Sequence, residues 1–118
     1  GTLMDVQDLV NEFAESVVAQ DEAIEKADPK TGNGFAKYYV EAFGRIRSLG
    51  DEGREALAAL LTDQRANVRV MAAAFLLRYK HDEARAVLEK ESRGTGSVAF
   101  GAKQALSRWE EGIWSLDP

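Results

Sequence analysis

The chain has 118 residues, 45% of them hydrophobic and 30% charged, and its net charge at pH 7 is −5. This composition is typical of one folded domain and excludes an intrinsically disordered chain. The sequence contains no cysteine and only two prolines, which excludes disulfides and thiolate zinc sites and leaves little that forbids helix.

The sequence gives no sign of a membrane segment or of export. No apolar run approaches the roughly 20 residues that are needed to span a bilayer. The first residues, GTLMDVQDLV, lack the basic and apolar regions of a signal peptide. We therefore expect a cytoplasmic protein without membrane contact.

The charge is unevenly distributed along the chain. Residues 1–34 contain eight acids and two lysines, whereas residues 63–93 contain seven basic and five acidic side chains. Binding to nucleic acid depends mostly on neutralising phosphates. An acidic protein therefore makes nucleic acid the weaker alternative partner.

The first predicted helix is Met4–Ala27. Its apolar residues recur at spacings of three and four, as one face of an amphipathic helix requires; they are Val6, Leu9, Val10, Phe13, Val17 and Ile24. The helix should end at Asp28, because the following Pro29 disfavours helical geometry in the residue before it.

The next segment, Lys30–Gly34 (KTGNG), is predicted to be a loop, because glycine and asparagine favour turns. A glycine-rich loop before a helix is also a possible phosphate site. No strand pattern precedes it, and the Walker spacing is missing. A plain connection between helices is therefore the favoured interpretation.

The second predicted helix is Phe35–Leu49, followed by Gly50 as its C-terminal cap. Gly44, in its interior, is interpreted as a point where a neighbouring helix approaches closely. One face of this helix carries charged residues at i, i+4 spacing, namely Lys37, Glu41 and Arg45.

The third predicted helix is Asp51–Leu61, with Asp51 as its N-cap. The fourth begins at Ala66 or Val68 and continues to Tyr79. Because this fourth helix is apolar nearly all round, we expect it to be the most buried.

Two more helices complete the prediction. Asp82 is expected to cap the fifth, Glu83–Ser92, and Ser97 is expected to cap the sixth, Val98–Glu111. Gly112 ends the sixth helix. The residues expected to fold back over the open end of the protein are Ile113, Trp114 and Leu116.

The predicted helices contain an internal repeat. Residues 68, 72 and 76 match residues 98, 102 and 106 at an offset of 30, as Val68, Ala72 and Leu76 against Val98, Ala102 and Leu106. Bulkier residues fill the same positions at an offset of 33, namely Phe35, Tyr39 and Phe43. A period near 30 with two helices per unit is the signature of an α-solenoid.

The segment from Leu60 to Leu77 resembles a HEAT repeat. The residues that carry the resemblance are Asp63, Val68, Arg69, Ala72, Ala73 and Leu76. The short period is similar to that of the HEAT-like repeats named after phycobilisome lyases, and the whole chain resembles small bacterial HEAT-like domains of unknown function. The resemblance implies an all-α fold, a right-handed α–α superhelix of about six helices. It would form one domain, 1–118, with helical pairs at about 4–49, 51–80 and 82–111.

In HEAT repeats the turn aspartate and the following arginine make a polar ladder. The resemblance therefore implies a structural role for Asp63 and Arg69. Arg93 and Ala99 stand at these positions in the last unit, so the ladder should not continue through it.

The second helix of each HEAT pair lines the concave side, and the resemblance implies a partner-binding groove there. Its predicted residues are Lys37, Tyr38, Glu41, Arg45, Arg69, Lys103 and Ser107. A basic bias suits an acidic helix or tail of another protein. We therefore predict a non-enzymatic scaffold, regulatory or immunity-type module with no cofactor or metal, either a monomer or a weak homodimer. The alternatives are a nucleic-acid-binding HEAT-like domain and an accessory subunit of an enzyme.

Three features allow a functional and a structural interpretation. His81, the single histidine, is a candidate metal ligand or general base, but a solvated turn residue is favoured because no clustered partner accompanies it. Trp109 and Trp114 are candidate interface anchors, but sealing the end of the stack is favoured. The acidic first helix is a candidate docking face, with a solvated surface as the simpler explanation.

Overall fold

Every regular element of the protein is helical in the computed structural model, which describes residues 5–117 and contains no strand within them. The α-helices are α1 (Val6–Glu25), α2 (Pro29–Ser48), α3 (Asp51–Ala58), α4 (Ala66–Leu76), α5 (His81–Ser92) and α6 (Ser97–Glu110), and a 3₁₀ helix (Ala59–Thr62) follows α3. The predicted all-α fold is thereby confirmed. The chain is organised as two units, Gly1–Leu57 and Ala58–Pro118. No helix in residues 5–117 has the length and hydropathy needed to cross a bilayer.

In the first unit, α1 begins at a capping box. The Asp5 carboxylate accepts the Asp8 N–H at 2.8 Å, and the Asp8 carboxylate accepts the Asp5 N–H at 3.3 Å. This reciprocal arrangement satisfies two of the main-chain donors that a helix N-terminus leaves open. Met4, the predicted start, lies outside the described residues.

The predicted loop at Lys30–Gly34 is wrong, because these residues form the first turns of α2. Pro29 occupies the first turn of the helix, where its fixed φ angle is favourable. The Asp28 carboxylate caps it by accepting the Thr31 N–H at 3.2 Å. Gly32 is buried against α1, since a Cβ there would lie 3.7 Å from Ile24 and 3.8 Å from Ala23. Its small size therefore serves helix packing rather than a turn.

Helices α1 and α2 pack against each other around large buried side chains. The fully buried side chains include Val10, Phe13, Val17 and Ile46. Phe13 meets the Tyr39 ring edge to face, with 5.9 Å between the ring centroids. The apolar stripe of α1 from Leu9 to Val17 thus forms the core of this unit, as its spacing predicts, whereas Ile24, predicted for the same stripe, is 56% exposed.

The close approach of two helices occurs at Gly53 in α3 and not at Gly44. A Cβ at Gly53 would overlap the main-chain carbonyl of Ile46, lying 2.8 Å from its carbon, whereas a Cβ at Gly44 would have no described atom within 4 Å. The interpretation of Gly44 is therefore wrong. The residue that lets α3 rest on the α2 backbone had no distinguishing sequence pattern.

In the second unit, α4 is the most buried helix, as its sequence predicts. Seven of its eleven residues are buried, and it packs against α5, α6 and the 3₁₀ helix. A helix that is apolar nearly all round needs neighbours on several sides, and these three helices supply them.

Three of the predicted N-caps are wrong by one or two residues. Helix α5 begins at His81 with Lys80 as its N-cap, and α6 begins at Ser97 with Gly96 as its N-cap. Asp82 and Ser97 therefore lie inside the first turns, where an acid such as Asp82 still interacts favourably with the helix dipole. Asp51 is likewise the first residue of α3 rather than its cap.

The segment after α6 folds back onto α4. The Trp114 indole N–H donates to the Ala74 carbonyl at 2.8 Å, and the Arg78 guanidinium donates to the Asp117 carbonyl at 2.9 Å. Trp114 also meets the Trp109 ring edge to face at 5.0 Å between centroids. Of the three residues expected to fold back, Trp114 makes the contact with α4, whereas the side chains of Ile113 and Leu116 are 63% and 38% exposed.

Candidate functional site

Arg69, predicted both for the ladder and for the groove, is held by internal acceptors. Its Nη1 donates to the main-chain carbonyls of Asp63 at 2.7 Å and Gln64 at 3.0 Å, and its Nη2 donates to Glu91 Oε1 at 2.7 Å. The Arg69 and Glu91 side chains are only 23% and 17% exposed. The guanidinium therefore links the turn before α4 to the end of α5.

The Asp63 carboxylate is paired with Arg65 rather than with Arg69. Arg65 Nε lies 2.9 Å from Asp63 Oδ1, and Arg65 Nη2 lies 3.1 Å from Asp63 Oδ2. The hydrogen bond from Arg65 lowers the pKa of Asp63 below its ordinary value, with Arg69 contributing a smaller favourable charge. Asp63 thus contributes to the Arg69 contacts through its main chain, and its side chain organises the turn locally.

Four of the predicted groove residues lie on α2, in the first unit, and all are exposed. They are Lys37, Tyr38, Glu41 and Arg45. The i, i+4 spacing places Lys37, Glu41 and Arg45 along one face of the helix. The Tyr38 ring is 54% exposed and lies 6.2 Å from the Phe35 ring. This face therefore offers charged side chains beside an accessible aromatic ring.

The other two predicted residues, Lys103 and Ser107, lie exposed on α6 in the second unit. Ser107 Oγ donates to Glu111 Oε1 at 3.2 Å. One turn before Lys103, the Phe100 side chain is 62% exposed. The three residues share a helix face at i, i+3, i+7 spacing. A single groove that would join this face to that of α2 stays a prediction.

Phe100 was missed as a surface residue by the sequence analysis. A signal for it was present, because Phe100 is out of phase with the Val98, Ala102 and Leu106 stripe that faces the core of the second unit. An aromatic residue displaced from the apolar stripe of its helix must point elsewhere.

His81 is not the solvated turn residue that we expected. It is the first residue of α5 and is partly buried, with its ring centroid 5.2 Å from that of Trp109. Its Nδ1 lies 3.2 Å from the Leu77 carbonyl oxygen. Within residues 5–117, no group of three or more His, Asp or Glu side chains is arranged to hold a metal ion.

Each unit contains a shallow concavity. The larger, of about 430 Å³, lies in the second unit and is lined mainly by apolar atoms of Ala58, Leu61, Thr62, Lys80, Glu83, Ala86 and Val87. The smaller, of about 240 Å³, lies at the α1–α2 turn and is lined by Ala19, Glu22, Ala23, Lys26, Asp28, Thr31 and Phe35. Only the larger reaches the roughly 300 Å³ at which small-molecule pockets begin.

Comparison with known proteins supports the fold and names no activity. No protein-family model matches the chain, and no curated protein matches it. Among solved structures, the chain is similar to the crystal structure of the protein RPA1889 from Rhodopseudomonas palustris CGA009. The TM-score is 0.86 at 26% sequence identity, and the match covers 95% of this chain and 93% of the other.

Proposed function

We propose that the chain is a non-enzymatic module that binds another protein. The observation that carries this proposal is the pair of exposed helix faces, one on α2 with Lys37, Tyr38 and Glu41, the other on α6 with Lys103 and Ser107. Each combines charged groups with an accessible aromatic ring on a rigid helix. Mixed surfaces of this kind are typical of places where proteins dock.

The proposed architecture is a short right-handed superhelix of HEAT-like repeats. The repeat of about 30 residues and the all-helical fold support it. In this architecture the second helix of each helical pair would contribute one face to a common concave surface. Arg69 would shape that surface indirectly, because its guanidinium already has three internal acceptors.

The proposed setting is that of a scaffold, regulatory or immunity-type protein in the cytoplasm, working without a cofactor. The net charge of −5 supports a protein partner over a nucleic acid. A monomer or a weak homodimer is compatible with such a role.

The proposal is tested by affinity capture from cell extract with quantitative mass spectrometry. The informative variant is Lys37→Glu/Lys103→Glu, which reverses one charge on each proposed face. The matched control is Lys26→Glu/Lys30→Glu, which reverses two exposed charges of the first unit outside these faces. We expect a specific partner to be retained by the wild-type chain and the control and to be lost by the variant. Equal retention by all three would reject these faces as the docking surface.

A further inference from the structure

Four acidic side chains in and just beyond the α5–α6 hairpin (residues 81–110) already have internal partners. Arg85 pairs with Glu89 at 2.6 Å and with Glu110 at 3.0 Å, and Arg69 pairs with Glu91 at 2.7 Å. Glu111 accepts the Ser107 hydroxyl at 3.2 Å. Three of these four carboxylates are therefore ion-paired, with Glu89 and Glu110 sharing Arg85, whereas Glu111 has only a hydroxyl donor.

The basic side chains of the same region are not neutralised. Within residues 5–117, no ion pair or side-chain hydrogen bond engages the exposed side chains of Lys90, Arg93, Lys103 and Arg108. The two acids of the hairpin without a side-chain partner, Asp82 and Glu83, lie in the first turn of α5, at the opposite end of that helix from Lys90. The unpaired charge in the α5–α6 turn and within α6 is thus positive, and the carboxylate of Glu111 follows directly after the helix.

An exposed apolar side chain lies among these cations. Phe100 is in the first turns of α6 and is 62% exposed, with Lys103 one turn further on and the Arg93 turn just before the helix. The first turn of α6 contains no acid, so nothing there offsets the positive end of the helix dipole. An exposed phenylalanine with unpaired cations on its own helix and in the preceding turn is the complement of an acidic segment with one apolar residue.

We propose that the surface around Phe100, called the α6 face and defined by Arg93 before the helix and by Lys103 and Arg108 on either side of Phe100, docks an acidic peptide segment of a partner protein. An apolar side chain of the segment packs on Phe100, and its carboxylates pair with the three cations. This inference rests on the proposed protein-binding function and specifies the chemistry of the partner. Charge complementarity requires the segment to be negatively charged. The aromatic ring supplies the apolar anchor typical of such contacts.

A peptide is favoured over a nucleic acid as the occupant. Nucleic-acid affinity comes from neutralising many phosphates, and this face offers only three cations on a chain whose net charge is −5. A short acidic segment needs only the local positive field, which decays over about 8 Å at physiological ionic strength.

The test measures binding of a short fluorescein-labelled peptide, with glutamates flanking one leucine, to the intact chain by fluorescence anisotropy. Two matched peptides replace the glutamates by lysine or the leucine by serine. We expect the acidic, leucine-containing peptide to bind at least about tenfold more tightly than either control, a difference of about 1.4 kcal/mol. Raising NaCl from about 50 mM to about 500 mM should weaken its binding, because exposed ion pairs are screened.

Two variants locate the contact. Phe100→Ser and Lys103→Glu/Arg108→Glu should each reduce the affinity by roughly tenfold or more. The controls are Ile24→Ser, which removes another exposed apolar side chain, and Lys26→Glu/Lys30→Glu, which reverses two other exposed charges. Both controls should bind as the wild type does. Circular dichroism should show equal helicity in every variant, since all the replaced side chains are exposed.

Several results would overturn the inference. The first is equal affinity for the acidic and basic peptides, and the second is binding that neither Phe100→Ser nor the double charge reversal weakens. The third is a single-stranded oligonucleotide that binds more tightly and with the same variant dependence, which would assign the face to nucleic acid. The fourth is a homodimer of the chain that Lys103→Glu/Arg108→Glu dissociates, which would assign the face to a second copy. A partner captured equally by wild type and by both α6-face variants would reject this face and leave the proposed protein binding intact.

Discussion

The two units of the chain are stabilised in different ways. The first, with a net charge of −6 from twelve acids and six bases, contains the Phe13–Tyr39 ring contact and the close approach at Gly53, and Tyr39 is also hydrogen-bonded to Gln20. The second, with eight acids and nine bases and a net charge of +1, contains the polar links Arg69–Glu91 and Trp114–Ala74. We therefore expect side-chain size at Gly53 to matter most in the first unit and the hydrogen bonds of Arg69 and Trp114 to matter most in the second.

The largest expected effect is that of Gly53→Ala in the first unit. The new methyl group would overlap the Ile46 carbonyl, which the backbone can only relieve by moving α3 away from α2. We expect a loss of about 3 kcal/mol in the free energy of unfolding, at the upper end of typical overpacking costs, measured by urea denaturation. The matched control is Gly44→Ala, where nothing described lies within 4 Å. It should stabilise the protein by about 0.5–1 kcal/mol through helix propensity. Equal effects at the two glycines would contradict the close approach.

The second prediction breaks the main polar link of the second unit. Arg69→Met should cost about 2 kcal/mol, because it leaves two main-chain carbonyls and the Glu91 carboxylate without their donor. The control, Arg65→Met, removes a more exposed pair with Asp63 and should cost less than about 1 kcal/mol. Urea denaturation of the two variants under identical conditions compares their losses of stability and shows whether Arg69 stabilises the fold more than an exposed arginine does. A larger loss for Arg65→Met would reverse the assignment.

The third prediction concerns the segment that folds back onto α4. Trp114→Phe keeps an aromatic ring but removes the hydrogen bond to the Ala74 carbonyl, and we expect a loss of about 1–1.5 kcal/mol in stability. Ile113→Ser, at a side chain that is 63% exposed, should change stability by less than about 0.5 kcal/mol. Thermal unfolding followed by circular dichroism compares the two. If Ile113→Ser is the more damaging, the fold-back depends on a different contact.

The fourth prediction is a substitution in the first unit that should raise the stability of the protein instead of lowering it. Glu12 Oε2 is buried and has no hydrogen-bond partner among the described residues. Replacing an unsatisfied buried polar group by an apolar one of similar shape is neutral or favourable, so Glu12→Met should stabilise the protein by up to about 1 kcal/mol. Glu22→Met, at an exposed position of the same helix, should have almost no effect. A clear loss of stability in Glu12→Met would show that the carboxylate is needed.

How well each part of the fold could be predicted depends on how far apart in the sequence its interacting residues lie. The burial of α4 could be predicted, because apolar residues on every side of a helix require neighbours on every side. The break between the first two helices was predicted close to where it lies, since α1 ends at Glu25, two residues before the predicted end. The Asp28–Pro29 pair instead begins α2, where proline at N1 and an aspartate cap outweigh the turn preference of the KTGNG segment.

The candidate surface was predictable only in part. Lys103 and Ser107 follow from the helical period, and both are exposed. The Arg69–Glu91 pair joins residues 22 positions apart, and the contact of Gly53 with Ile46 depends on how α3 rests on α2. Neither leaves a local pattern in the sequence. The free cations of the α6 face could be separated from the paired ones only after each carboxylate had been assigned its partner.

The smallest expected effect is a pH dependence that is specific to the second unit. The hydrogen bond from Arg65 lowers the pKa of Asp63 below its ordinary value of 3.8. A carboxyl group with a lowered pKa in the folded state stabilises the protein above its unfolded pKa, and this contribution is lost as the pH falls through the folded pKa. Unfolding by urea at pH values from about 6 down to about 2.5 should therefore show a steeper loss for the wild type than for Asp63→Asn, by less than about 1 kcal/mol. Equal slopes in the two proteins would mean that the Asp63–Arg65 pair contributes nothing to stability in solution. The Asp63 carboxylate would then be dispensable, and the turn before α4 would be held by Arg69 alone.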